Sequence, residues 1–389
     1  MRSVRFVSLE FSLTAVVHAL VVSVLAWVFC ATPNQASAQG GFLDQFVDPE
    51  DNHVDVSTFL DNGGFVPVPI IITEPAVGGG AGLAAVFLKL PEAGSNNDPT
   101  RTIFGFAGTG NNSKIGFGAR FGSAFDGDLK YRAVVGGGSI NLDFFPLGIP
   151  QGLSFNNEAI FANAEARYRL GESEFFLGPT LTAIQTTVSP NLGGGTPLPP
   201  ALSRDIKMNA LGLSLHFDNR DNPFTPRNGL NASAKVRRFD QAIGSDVDYT
   251  ATDLFAAYFH SPNDKWTLSG MVLGSGTNGD TPFFMEPSIN IRGVPFNRYQ
   301  GDRVISTEFE VRRQLSPRWA MVGFAGYGKA TSDGAPDISA DSEAATFGAG
   351  IRYKLARKYG LDVGIDIARG PEDTVVYLQF GHAWAMNMD

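Results

Sequence analysis

Charge is what this sequence is short of. Only 18% of its 389 residues are Asp, Glu, Lys or Arg, against roughly 25% in ordinary soluble proteins. Low charge combined with 11% aromatic residues excludes a disordered polyelectrolyte. Long apolar runs are missing too. Past the N-terminus none approaches the roughly 20 residues that a membrane-crossing helix needs. Basic tracts are absent, and 30 Lys and Arg against 39 Asp and Glu give a formal charge of −9. Nothing in that balance would hold a phosphate backbone, so nucleic acid is not expected as a partner. Cysteine occurs once, at Cys30. What is plentiful is glycine, 45 residues, and phenylalanine, 31 residues. A chain of this length holds two or three soluble domains or one large β-architecture, and that pairing of residue types favours the second.

The N-terminus reads as a secretory signal. Arg2 and Arg5 precede a largely apolar stretch from Phe11 to Cys30, which leads into Ala36-Ser37-Ala38. A basic start, an apolar centre and an A-x-A site make up a cleavable export signal over residues 1–38. The stretch from Phe11 to Ala31 would also serve as a retained anchor, but Gln39-Gly40-Gly41 directly after the small residues favours cleavage after Ala38. A lipoprotein reading through Cys30 is opposed by Trp27 and Phe29. Loss of Arg2, Arg5 and Glu10 leaves 28 basic and 38 acidic residues, or −10, and no cysteine. Disulfides, thiolate–zinc sites and cysteine nucleophiles are then excluded. Residues 39–64, with Asp48-Pro49-Glu50-Asp51-Asn52 at their centre, read as a short solvated periplasmic linker; the acid spacing does not fit a calcium loop.

From residue 65 to 389 one pattern recurs, alternation bounded by Gly, Pro, Asn and Asp. Leu211, Leu213, Leu215 and Phe217 oppose Gly212, Ser214 and His216; Ile305, Thr307, Phe309 and Val311 oppose Ser306, Glu308, Glu310 and Arg312. Windows at Ile115–Gly122, Leu230–Arg237, Phe347–Leu355 and Leu361–Ile367 repeat it. Period two is the strand signal. Windows of about 9–12 residues match a tilted membrane-crossing strand better than the roughly 5–6 of soluble sheets. Polar faces carrying both charge signs and many glycines suit a crowded lumen. Trp266, Trp319, Tyr327, Tyr359 and Trp384 fall near window ends, where interfacial girdles form. The expected fold is all-β, a transmembrane antiparallel barrel of roughly sixteen strands, which leaves no exposed sheet edge.

Three stretches resemble one family, the BamA/TamA-like barrels or bacterial surface antigens. The first is the turn from Phe217 to Gly229, with Asp218, Arg220, Asp221, Asn222, Pro223, Pro226 and Gly229 matching a D-x-R-D-N-P-x-x-P-x-x-G pattern. The second is Ile291-Arg292-Gly293-Val294, similar to an R-G-[FY] tip on an extracellular loop that folds into the barrel. That resemblance makes Arg292 the lumen-inserted residue and Gly293 its tight turn. A buried guanidinium then needs a carboxylate, with Glu308, Glu310, Asp362 and Asp366 as candidates. The family's wall motif F-x-D-x-G reads here Phe324-Ala325-Gly326-Tyr327-Gly328, without its acid. The third is the C-terminus, where Val376–Trp384 resembles the last strand, with Phe380, Gly381 and the terminal aromatic Trp384 as its assembly signal. The resemblance implies a bacterial outer-membrane location and membrane lipid around the barrel. It also implies the barrel assembly machinery as a partner in biogenesis, and a protein or lipid client. Residues 39–64 are too few for the periplasmic domains of about 75–80 residues that client-handling relatives carry, so this reads as a barrel-only member.

Enzymatic chemistry is not expected. There is no G-x-S-x-G, H-E-x-x-H or P-loop sequence, and no His pair has helix-type metal spacing. Gly78, Gly80 and Gly82 alternate at strand spacing, as small residues on one strand face do. No catalytic residue, cofactor or metal is anticipated. The expected function is that of the insertion and translocation family, with a weak seam between the first and last strands. A passive pore or substrate channel, and a structural or surface-recognition barrel, are the alternatives.

Overall fold

The computed structural model describes residues 46–61, 64–89, 91–92, 94–144, 153–191, 203–332 and 342–384. The expected signal peptide with Cys30, and the tail beyond Trp384, lie outside the described residues. Sixteen strands are described. The first eight are β1 (Gly64–Ile72), β2 (Gly80–Lys89), β3 (Thr100–Thr109), β4 (Lys114–Ala124), β5 (Leu129–Phe144), β6 (Leu153–Arg169), β7 (Phe175–Pro190) and β8 (Arg204–Asp218). The rest are β9 (Gly229–Phe239), β10 (Tyr249–Asn263), β11 (Trp266–Gly279), β12 (Arg303–Gln314), β13 (Trp319–Thr331), β14 (Ser342–Ala356), β15 (Leu361–Arg369) and β16 (Thr374–Phe380). Each pairs antiparallel with its sequence neighbour in one sheet ordered β1 to β16. No described helix is long and apolar enough to cross a membrane; the strands form a nearly closed barrel. Among the described residues no ladder returns from β16 to β1.

Alternation assigns the two faces. Leu211, Leu213, Val236, Ile305, Phe309, Phe347, Ile351 and Ile367 are exposed on the outside. Ser214, His216, Asn231, Glu308, Glu310, Arg352, Asp362 and Asp366 are buried on the inside. β4 runs against the expectation that apolar residues face out. Its Gly116 and Gly118 pair with the outward Phe106 and Phe104, which turns Ile115, Phe117 and Ala119 inward. A side chain at Gly105 would strike the Phe117 ring, so the glycine is what admits that ring inside.

The two ends of the described chain, residues 46–61 and 381–384, share the lower end of the barrel with the short turns. The acidic segment expected to be a solvated linker is instead folded there. Val47 bridges Val54, α1 (Ser57–Asp61) follows, and Val56 N–H donates to the Leu355 carbonyl. Arg318, in the β12–β13 turn, donates to Asp48 at 2.5 Å, Asp51 at 2.6 Å and Asp55 at 2.6 Å. Burial opposes the charge on Arg318, but the hydrogen bonds it donates to Asp51 and Asp55 raise its pKa above the usual guanidinium value. The same hydrogen bond holds Asp51 down at about 2. The three carboxylates offset the cost of burying the guanidinium beneath this segment. Trp266 and Trp319 stand at the lower rim, Trp319 packing on Tyr353 at 4.9 Å, while Tyr359 donates to Asp61.

Candidate functional site

The β11–β12 connection is 23 residues long and turns into the barrel. Ile289, Ile291, Arg292, Val294 and Asn297 are all buried there. Ile289 N–H donates to the Tyr299 carbonyl, and Ser288 bridges Gln300, so the inserted segment is a hairpin. Gly293 sits at φ 97°, a left-handed conformation that glycine adopts freely. A β-carbon there would also crowd Gly370 N at 3.2 Å and Thr346. Its N–H donates to the Tyr377 hydroxyl at 2.8 Å.

Arg292 is 7% exposed and gathers three carboxylates. Nε and Nη2 donate to Glu308 Oε1 at 2.9 and 2.6 Å, Nη1 to Asp366 Oδ2 at 2.7 Å, and Nη2 lies 2.8 Å from Glu310 Oε2. Its backbone N–H donates to Glu308 Oε2 at 3.1 Å. The guanidinium carbon lies 3.5 Å from the centre of the Phe324 ring, a cation–π stack. Arg352 also donates to Asp366. Asp362, the fourth candidate, is not part of this set; it pairs with Arg312.

The C-terminus departs most from its expected form. β16 ends at Phe380, which is exposed at 44%, and Gly381 at φ 74° turns the chain off the sheet. Trp384 is therefore not the last residue of a strand facing lipid. It is 3% exposed inside the barrel, and its Nε1–H donates to Glu308 Oε1 at 2.6 Å. His382 approaches Glu310 at 3.4 Å and lies 4.4 Å from the Trp384 ring, with Phe259 against both. Glu308 thus joins the inserted loop to the C-terminal hook.

The turn motif supports the hook from below. Asp218 accepts from Arg220 Nε and Nη2, each at 2.7 Å. Asp221 accepts from the N–H of Arg227 and Asn228; the Asn222 side chain accepts from the N–H of Phe224 and Thr225. Pro223 and Pro226 lie within that ten-residue connection, and Gly229 at φ 114° starts β9 with its α-carbon against Arg220. The turn also reaches across the lower mouth. Asn222 Nδ2 donates to the Tyr359 carbonyl at 2.8 Å, and the Phe224 carbonyl accepts from His382 N–H at 2.7 Å.

These motifs lie in a stretch that aligns with a known family: the Omp85 superfamily domain matches residues 202–383. BamA from Haemophilus ducreyi, in a crystal structure lacking POTRA domains 1-3, has the same fold at a TM-score of 0.57 and 11% identity. That match covers 93% of this chain and 76% of the other. CdiB from Acinetobacter baumannii and CdiB from Escherichia coli each match at a TM-score of 0.55 and 12% identity over 81% of this chain. The chain spans 59% and 61% of those two proteins' lengths. No curated protein matches the sequence.

Within this matched stretch, the roles of four residues escaped the sequence reading. Phe324 supplies a ring face to Arg292, although the wall motif lacks its acid. Gly326 and Gly328 make room for the loop, since a β-carbon at either would meet Ile291 or Ile289. Their spacing, alternate residues on an inward face, was visible. Which side chain they admit depends on a loop some 35 residues away in sequence. His382 lies two residues before the expected girdle residue Trp384, with no signal that the chain turns inward after Gly381.

Proposed function

We propose that this protein is a bacterial outer-membrane barrel of the insertion and translocation type, working through the gap between β1 and β16. The lower end, with residues 46–61 and the C-terminal hook, faces the periplasm in this reading, and the opposite end faces outward. One observation carries it: every neighbouring pair of strands from β1 to β16 is laddered, while none joins β16 to β1 among the described residues. Unpaired strand edges are templates for another strand, so an unladdered seam is where a client segment would pair. Arg292 and Trp384 tie the inserted loop and the C-terminal hook to the same oxygen of Glu308, and set how readily the seam widens.

The test uses cysteine pairs placed across Val68–Ile72 and Thr374–Tyr377 in the full chain, reconstituted in phospholipid vesicles. An unfolded eight-stranded outer-membrane barrel polypeptide serves as the probe client. Oxidation is expected to slow its insertion and reduction to restore it. A locked seam with unchanged insertion, in a barrel that keeps its folded gel mobility, refutes the proposal.

A further inference from the structure

Eight strands from β14, on the opposite wall of a sixteen-stranded barrel, the lumen carries a second charged group that the Arg292 site does not use. Glu165 on β6 is 4% exposed. Three cations converge on it: Lys235 Nζ at 2.8 Å and Arg132 Nη2 at 3.1 Å on Oε2, and Arg167 Nε at 3.1 Å on Oε1. Arg237 stands beside Lys235 and donates to Asp253 at 2.7 Å. Four cations therefore face two carboxylates, a local charge of +2. Lys235 reaches Glu165 across two intervening strands because those strands present only small residues. Glu165, Thr180, Gly212 and Arg237 lie in one cross-strand row, and Gly178, Ser214, Lys235 and Asp253 in the next.

The floor of this trough is unfinished. The hydroxyls of Thr180 and Ser214, at 2% and 1% exposure, have no hydrogen-bond partner. Arg237 Nε also has none. Buried polar groups are normally satisfied, and an orphaned donor costs about 1–3 kcal/mol. Two hydroxyl donors between two pairs of cations make a cradle for an oxyanion, whose several acceptor oxygens suit donors arriving from different sides. Glu165 is a carboxylate occupying part of such a cradle.

We infer that this trough on β5–β9 is a lumenal binding site for a multivalent oxyanion of the phosphate class, seated beside Glu165 on Arg132, Lys235, Thr180 and Ser214. The ligand is a solute reaching the lumen, because the row faces inward while Leu177, Leu181, Leu211 and Leu213 of the same strands face out. The inference stands apart from the seam reading, since binding here needs no client and no seam motion.

The test is a titration of inorganic pyrophosphate against the full chain in detergent micelles, at low ionic strength without phosphate buffer. The readout is the heating midpoint at which gel mobility changes. A saturable rise is expected in the wild type, with no equal rise from sodium chloride at matched ionic strength. Lys235→Gln weakens pyrophosphate about tenfold, the usual cost of one charge-assisted contact. Thr180→Val with Ser214→Ala weakens it similarly, and by removing two unsatisfied buried hydroxyls raises the ligand-free midpoint. Glu165→Gln lowers the ligand-free midpoint, and pyrophosphate restores it. A wild-type midpoint that ignores pyrophosphate overturns the inference, as does an undiminished response in the Lys235 and Thr180/Ser214 variants. The cluster is then only a structural ion network.

Discussion

Replacing Arg292 by Met and Trp384 by Phe, singly and together, separates a lumen held by one shared carboxylate from one held by independent contacts. Glu308 is buried, and its Oε1 accepts from Arg292 Nε, Arg292 Nη2 and Trp384 Nε1. Removing one partner of a buried ion pair costs about 3–5 kcal/mol, so Arg292→Met falls in that range. Trp384→Phe keeps a ring against His382 and Phe259 but deletes one hydrogen bond to a charged acceptor, worth about 1.5–3 kcal/mol. In the Arg292→Met background the indole N–H is the remaining side-chain donor recorded for Glu308. The double variant should therefore lose more than the sum of the singles, by about 0.5–3 kcal/mol. Glu308→Gln supplies the sharper comparison. It destabilises the wild type by weakening the pairing with Arg292, yet stabilises the double variant by removing a buried charge left with the backbone N–H of residue 292 and no countercharge from Arg292. Urea unfolding in lipid vesicles, followed by gel mobility, measures all of these. Additivity within about 0.5 kcal/mol, or a Glu308→Gln change that destabilises both backgrounds, would refute the coupling.

The N-terminal cap supplies the next expectation: Arg318→Met leaves Asp48, Asp51 and Asp55 facing one another, and limited proteolysis should cut residues 46–61 while the barrel stays folded. The cap is also acid-sensitive. Asp51 is held at about 2 and Asp55 is lowered, so their stabilisation is complete above the ordinary carboxylate range near about 4. It is lost as pH falls through about 2, and proteolysis across that range should show release only on the acid side. In β13, Gly328→Ala collides with Ile289 and should expel the inserted loop, exposing it to protease. Gly323→Ala meets nothing within 4 Å and should change stability by no more than about 0.5 kcal/mol. Equal effects at the two glycines would show that loop insertion does not depend on the wall.

Strand number and polarity were legible because a two-residue period survives any tertiary arrangement. The inside–outside sense of a single strand was not, as β4 demonstrates. Ile115, Phe117 and Ala119 alternate with glycines whichever way the strand faces, and only pairing with Phe104 and Phe106 fixes the answer. A shift of one residue exchanges every side chain between faces, and register is a property of two strands. Arg292 and its carboxylates Glu308, Glu310 and Asp366 were named from a motif and the need for countercharge. Asp362 satisfied the same requirement on paper and is taken by Arg312. Trp384 and the Asp48–Asp55 segment were misplaced for a common reason. Each depends on one distant group, Glu308 or Arg318, that pulls a terminal segment out of the state its local sequence favours.

The way β16 is held bears on how the seam works. Among the described residues its ladder runs only to β15, yet the strand and the four residues after it are tied inward at several points. Tyr377 accepts from Gly293, Gly381 N–H donates to the Asp362 carbonyl, His382 N–H to the Phe224 carbonyl, and Trp384 to Glu308. Those partners come from the inserted loop, β15, the β8–β9 turn and β12, and none comes from β1. Among the described residues the last strand is thus tied to the lumen contents and the lower mouth. Changes at Arg292, Asn222 or Trp384, none of which lies on either seam strand, should move the seam, whereas side-chain changes on the outer face of β1 should leave β16 where it is. A barrel closed by a ladder would behave in the opposite way. Its seam would answer to edge substitutions and ignore the interior.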